Sequence, residues 1–184
     1  LRATFDDGLT RIVMDAPPAH EDVRPWLRVQ GLFRAAGAHV PDVLAQDLER
    51  GFLLLSDPGS TTYLAALGAN TDADALYRAA IDTLIRIQLA SRPGTLPAYD
   101  RTLLKRELDL FPDWYIGKHV TIAFGDSDRN TLEAVFEKIL AVNLAEPAVY
   151  VHRDYHSRNL MVDGEHPGAP GVIDFQDAVY GPLT

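Results

Sequence analysis

The sequence predicts an α/β chain of the α+β kind. A small β-rich lobe comes first, then a larger helical lobe that carries a β-hairpin. Three observations predict this: short strand-like runs punctuated by turn residues before residue 60, helical spacing of apolar residues from 70 to 140, and three short β-type runs after 147. Leu1 to Phe5 leads into the turn signal Asp6-Asp7-Gly8, and Leu9 to Met14 returns as a hairpin. Pro17-Pro18 ends that unit. Val23, Trp26, Leu27, Leu32, Phe33 and Ala36 recur at helical spacing, with Gly37 as C-cap. Residues 43–56 read as two strands around Glu49-Arg50-Gly51, and Asp57-Pro58-Gly59 marks a hinge. Thr71 with Asp74 has the form of a capping box, followed by a face of Leu76, Tyr77, Ala80, Ile81, Leu84 and Ile87. A second long helix is expected over 102–111, broken near Pro112. A third is expected to open at Asn130 with Glu133 as capping partner, burying Leu132, Val135, Phe136, Ile139 and Leu140. Ala148–Val151, Leu160–Val162 and Val172–Ile173 are the closing strands. The expected boundary divides the chain into 1–55 and 56–184.

The 184 residues are 47% hydrophobic, enough for an ordinary core. With 26 acidic against 17 basic side chains the net charge is −9, which argues against a nucleic-acid or anionic-membrane partner. An anionic ligand therefore needs local groups or a divalent metal. The absence of cysteine removes disulfides, thiolate catalysis and Cys-zinc sites, and fits a reducing cytoplasm. No apolar run reaches the length of a membrane span. Leu1 in place of Met, and an end at Tyr180-Gly-Pro-Leu-Thr184 without a terminal element, read as a piece of a longer protein.

The chemistry is concentrated in Val151-His-Arg-Asp-Tyr-His-Ser-Arg-Asn159 and Gly171-Val-Ile-Asp-Phe175. Phosphoryl transfer from ATP needs a carboxylate to orient and deprotonate the attacking hydroxyl, and oxygen ligands that hold magnesium across the phosphates. Asp154 precedes Asn159 by five residues on a loop between strands, and Asp174 follows fifteen residues later at a strand end. Adjacent strands can bring Asn159 and Asp174 into one coordination sphere, and both offer oxygen to a hard cation. The pattern His-Arg-Asp…Asn followed by Asp-Phe is a kinase signature. A polar hairpin whose Asp and Asn merely form turns would explain neither both aspartates nor the histidines. His152-x-Asp154 also begins a two-histidine, one-carboxylate iron site, for which only His156 and His166 remain as further histidines. A zinc hydrolase would need the His-Glu-x-x-His motif, which is lacking. His152 reads as packing beneath the loop.

The segment His152 to Asn159, followed by Ile173-Asp-Phe175, resembles the aminoglycoside-phosphotransferase-type kinases, the small-molecule branch of the protein-kinase-like fold. Val13-Met-Asp-Ala-Pro-Pro18, Gly51-Phe-Leu-Leu-Leu55, Thr62-Tyr-Leu64, Leu110-Phe-Pro-Asp-Trp-Tyr115 and Val172–Thr184 bring the resemblance closer to its bacterial kinases of the anomeric hydroxyl of N-acetylmuramate and N-acetylglucosamine, which serve cell-wall recycling. The resemblance implies a two-lobed fold, with a partial ATP-binding lobe over 1–55 and an incomplete catalytic and substrate lobe over 56–184. It implies Asp154 as catalytic base, Asn159 and Asp174 as magnesium ligands, and the backbone of Leu55, Ser56 and Asp57 as the adenine hinge. ATP, Mg2+ and a small sugar are the implied ligands. An aminoglycoside-modifying kinase and a non-catalytic nucleotide-binding protein are the alternatives. The sequence departs from the pattern in four ways: no Gly-x-Gly occurs, the usual strand lysine falls near Met14, its partner glutamate is not evident in the helix at 22–36, and Gln176 follows Asp174-Phe175. Arg11 and Arg24 are candidate phosphate anchors. Arg153 and Arg158 are candidates for phosphate or substrate carboxylate, or for ion pairs within the loop. His156 is read as supporting the loop or moving a proton. Trp114 and Tyr115 could stack on a sugar or belong to the core.

Overall fold

The computed structural model describes residues 1–69, 71–120, 122–164 and 168–183. They pack as two compact units, one of Leu1–Ser91 with His152–Ala178, the other of Arg92–Val151 with Val179–Thr184. This partition differs from the expected boundary after residue 55. The segment carrying the chemistry packs with the helix of residues 24–35, because Phe175, fully buried, stacks obliquely on Trp26 at 5.1 Å and Phe33 at 5.8 Å.

In the first unit, β1 (Arg2–Thr4), β2 (Thr10–Asp15), β3 (Val43–Asp47) and β4 (Phe52–Ser56) form an antiparallel sheet in the order β1-β2-β4-β3. Gly8, at φ +78°, turns the first hairpin as the sequence predicts. Gly51 is under stricter demand. Its φ is +79°, its N–H donates to the Asp47 carbonyl, and an added Cβ would overlap the Ala16 carbonyl. The first helix, α1 (Arg24–Ala35), starts with Pro25 in its first turn, where the missing N–H costs nothing. It ends on Gly37, with Ala38 N–H donating to Phe33 O and Gly37 N–H to Arg34 O, so both orphan carbonyls are satisfied. The buried side of α1 is Trp26, Val29, Gln30 and Phe33.

Two helices follow in this unit. The six-residue α2 (Tyr63–Gly68) was not foreseen; it is too short for periodicity to show, and Thr62 Oγ1 caps it by accepting from Ala65 N–H. The cap of α3 (Ala73–Leu89) is Asp72 rather than Thr71, its carboxylate accepting from Asp74 and Ala75 N–H. The buried stripe of α3 also differs from the expected one. Ala80, Thr83 and Ile87 are buried, whereas Tyr77 and Ile81 are about half exposed. Ala80 and Ile87 were expected to be buried and are, but apolar residues occupy more of this helix than one face can bury, so periodicity added Tyr77 and Ile81 and missed Thr83. The hairpin of β6 (Leu160–Met161) and β7 (Gly171–Val172) completes the unit. His166 lies outside the described residues.

In the second unit, β5 (Ala148–Val151) pairs antiparallel with β8 (Val179–Pro182). β8 corrects the expectation that the chain ends without an ordered element. Gly181 lets this strand pass against Tyr99, whose N–H donates to Tyr180 O. Asp100 caps α4 (Arg101–Leu110). The chain does not break at Pro112; it continues as a π-helix over Phe111–Val120. The wider turn leaves proline's missing donor and ring easier to place than an α-turn would. The last helix, α5 (Asp126–Asn143), opens four residues before Asn130. Gly125 is its N-cap and Asp128 accepts the Gly125 N–H, so Glu133 is no cap but an ion-pair partner of Lys105. Phe136 and Leu140 are buried on α5, while Val135 and Ile139 are exposed.

Candidate active site

All the singled-out residues from Leu55 to Asp57 and from His152 to Asp174 fall in the first unit. The loop after His152 is built by short hydrogen bonds along its own backbone. His156 N–H donates to Asp154 O, Asn159 N–H to His156 O, and Ile173 N–H to Asn159 O. The loop is tied outward as well: Leu64 N–H donates to Ser157 O, and Tyr155 hydroxyl donates to Ala80 O at 2.7 Å. Burial pushes the Tyr155 phenol well above its usual range, so it stays a donor.

Asn159 is the joint of the site. Buried itself, it donates its side-chain amide to the Asp154 carbonyl and to Asp174 Oδ2, both at 3.1 Å. Gln176 Nε2 donates to the other Asp174 oxygen at 2.9 Å. The structure therefore brings Asn159 and Asp174 together, as their spacing predicts, and adds Gln176. Arg153 and Asp174 adopt left-handed backbone, at φ +72° and +63°. Such strain persists where the surroundings fix the chain, and it collects at functional sites.

His152 fixes the loop from below. Its ring is 2% exposed, lies among Phe33 and Tyr155, accepts the Asp154 N–H at Nδ1 and meets Ile173 O through Nε2 at 3.1 Å. This network assigns the neutral tautomer with the proton on Nε2. Burial lowers its pKa, against opposing pulls from the Ile173 carbonyl and the Asp154 and Asp174 charges. A histidine held neutral by the fold takes up its proton more readily when unfolded. Its stabilisation is complete above the ordinary value of about 6.5 and is lost as pH falls toward the lowered folded value. The melting temperature should therefore drop as pH falls below about 6.5, and His152→Gln should flatten that slope while lowering stability at neutral pH. A wild-type melting temperature that stays level over that fall would contradict the assignment.

Asp154, Arg153, His156 and Arg158 are exposed on the loop. Arg11 and Arg24, the candidate phosphate anchors, are instead engaged with Asp7 and Asp22. Trp114 and Tyr115 of the second unit are exposed, at 63% and 51%, and are not core; Tyr115 stacks between Phe111 and His119.

A cavity of about 460 Å³ opens beside Asn159 and Asp174. Ile12, Met14, Leu55, Met161 and Ile173 give it apolar walls, and Arg2 and Gln176 line it too. That size and polarity suit a nucleotide-sized ligand. Of the expected hinge residues, Leu55 contributes its side chain, and Ser56 is engaged with Asp42 through both N–H and Oγ. The Asp57 carboxylate holds Arg2. Sequence reasoning missed Arg2, whose role is visible only once β1, β2 and β4 are paired. Met14 does lie on the cavity wall, where its thioether cannot replace an ammonium.

Among the described residues no three His, Asp or Glu side chains form a metal cluster. A cation held by Asp174 and the free Oδ1 side of Asn159 must complete its shell with phosphate oxygens and water. Magnesium behaves in that way, so the donor set fits it.

Comparisons with known proteins bear on the family and the fold. The chain is 49% identical over 94% of its length to N-acetylmuramate/N-acetylglucosamine kinase of Pseudomonas aeruginosa, covering 50% of that protein. It is 44% identical over its full length to the protein of the same name from Neisseria meningitidis, covering 54% of it. The chain thus spans about half the length of the curated relatives it matches. Among solved structures, an ADP-bound aminoglycoside phosphotransferase superposes with a TM-score of 0.60 at 19% identity, over 94% of this chain and 61% of that one. An aminoglycoside phosphotransferase of Streptomyces rimosus, in complex with ADP and streptomycin, gives 0.57 at 17% identity over 95% and 67%. These likenesses show a kinase-like fold. The sequence profile of the phosphotransferase enzyme family matches residues 2–184, and the chain belongs to that family.

Proposed function

We propose that the protein is an ATP- and Mg2+-dependent kinase that transfers the γ-phosphoryl group to the anomeric hydroxyl of N-acetylmuramate or N-acetylglucosamine, in the cytoplasm, as part of cell-wall recycling. The observation that carries the reading is the hydrogen bond from Asn159 to Asp174, at the edge of an apolar cavity and one carbonyl away from Asp154. The names of relatives that are 44% and 49% identical support the sugar. In this reading residues 1–55 supply the ATP lobe, and the 55–57 segment meets the adenine edge. Asp174 and Asn159 Oδ1 hold the cation, which neutralises charge on the phosphates when bound. Asp154 orients and deprotonates the sugar hydroxyl. Arg153 and Arg158 are exposed on the same loop; in this reading they meet a phosphate or the muramate carboxylate, and His156 supports the loop.

A substrate panel with ADP release as readout tests this. The protein should turn over N-acetylmuramate and N-acetylglucosamine. The net charge of −9 favours a polycationic acceptor, so kanamycin belongs in the panel; turnover of kanamycin alone would replace the sugar by an antibiotic, and no turnover of any acceptor would favour a binding protein. The metal assignment has its own test. Asn is tolerated in left-handed backbone, so Asp174→Asn should fold normally. Without the carboxylate charge it should bind Mn2+, followed by paramagnetic resonance in the presence of ATP, at least tenfold more weakly, by comparison with the ~10–100-fold cost of losing even an outer-shell partner. Unchanged affinity would remove Asp174 from the metal site.

A further inference from the structure

Arg2 is the single cation among the described residues that line the cavity. In the sheet it pairs with Ile12, which pairs with Leu55, so the three sit abreast on β1, β2 and β4. All three line the cavity, which places Arg2 on the same face as the apolar pair. Its guanidinium is held on three points. Nε lies 2.6 Å from Asp57 Oδ2, one terminal nitrogen lies 2.9 Å from Asp57 Oδ1, and that nitrogen also donates to the Gly59 carbonyl at 2.6 Å.

The anchor is built to last. The Asp57 side chain is 6% exposed and also accepts the Gly59 N–H at 3.0 Å. Burial would raise its pKa, but the hydrogen bonds from Arg2, Thr10 and Gly59 outweigh it, so the carboxylate stays charged. The Arg2 side chain is 42% exposed and lines the cavity, so part of it remains open to a ligand. A fixed, planar, weakly hydrated cation beside an apolar slot is the partner an aromatic ring takes. A lysine, as a flexible point charge, could make neither the two-pronged bond nor the stacking contact.

We propose that Arg2 is a nucleobase-positioning residue: clamped by Asp57 and Gly59, its guanidinium covers the purine of the bound nucleotide, while Ile12, Leu55 and Met161 supply the apolar contact. The inference rests on reading the cavity as the ATP site. It assigns Arg2 to the base and not to the phosphates, and makes Asp57 a side-chain anchor as well as a hinge residue.

The test compares two probes on the whole protein by calorimetry: Mg-ATP, and Mg-tripolyphosphate, which has phosphates and no base. Arg2→Lys keeps the charge and loses the plane; Arg2→Leu loses both. Each should weaken ATP binding about 3- to 30-fold. Each should leave tripolyphosphate binding unchanged. Asp57→Asn should weaken ATP similarly, and the Arg2→Leu, Asp57→Asn double variant should lose little more than either alone. Equal losses for both probes would make Arg2 a phosphate ligand or a purely structural clip, and overturn the inference. So would ATP binding that ignores Arg2→Lys. Wild-type protein that binds tripolyphosphate but no ATP would sink the nucleobase contact, whereas binding of neither probe would sink the ATP-site reading itself.

Discussion

Asp154→Asn in the whole protein is expected to lower kcat by about 10²–10⁴-fold, or roughly 3–5 kcal/mol of barrier. The amide keeps the shape and most of the hydrogen bonding of the carboxylate and loses its basicity. The loop does not depend on that side chain, because its backbone is fixed by His152, His156 and Asn159. Melting temperature and ATP affinity should therefore stay close to wild type. An anomeric hydroxyl is more acidic than an ordinary alcohol, which places the loss toward the lower end of that range. Rapid-quench measurement of the phosphoryl-transfer step checks this directly. Full kcat in the variant would reduce Asp154 to a loop former.

The largest stability effect is expected at Phe175. It is fully buried against Trp26 and Phe33, so truncation to alanine removes a ring and leaves a void between α1 and the segment that bears Asp174. The cost should be about 3–5 kcal/mol of unfolding free energy, against a smaller loss for Phe175→Met, which refills most of the ring's volume. Denaturant melts of the two variants check it; equal losses would mean that the ring is not the packing element. Because Asp174 adopts a strained left-handed backbone next to this ring, Phe175→Met should also weaken Mn2+ binding measurably while the protein remains folded.

The sequence made the chemistry legible and hid much of its support. Asp154, Asn159 and Asp174 stand out because phosphoryl transfer fixes their types and order, and strand pairing of Leu160 with Val172 then joins Asn159 to Asp174. The first hairpin and the β3–β4 hairpin were legible through Gly8 and Gly51, whose positive φ leaves few other residues possible. Helix starts were misplaced where several capping residues compete, as at Thr71 against Asp72, and where a glycine caps, as at Gly125. The π-helix over Phe111–Val120 has no sequence signal of its own, since Pro112 reads as a break. Met14, read by likeness to the kinase strand, lies on the cavity wall, whereas the single cation among the described lining residues, Arg2, comes from the neighbouring strand. Only pairing reveals such a residue. The buried stripe of α3 illustrates the same limit, because a helix apolar on more than one face does not declare which face is covered.

The most direct measurement of the central claim is the position of the transferred phosphate. Whole protein, N-acetylmuramate and γ-labelled ATP with magnesium should yield one ADP per sugar phosphate. Phosphorus–proton correlation in the NMR spectrum should place the phosphate on the anomeric carbon, and Asp154→Asn should slow formation of that product by about 10²-fold or more. Phosphate on any other hydroxyl, or ADP formed without a sugar phosphate, would contradict the account.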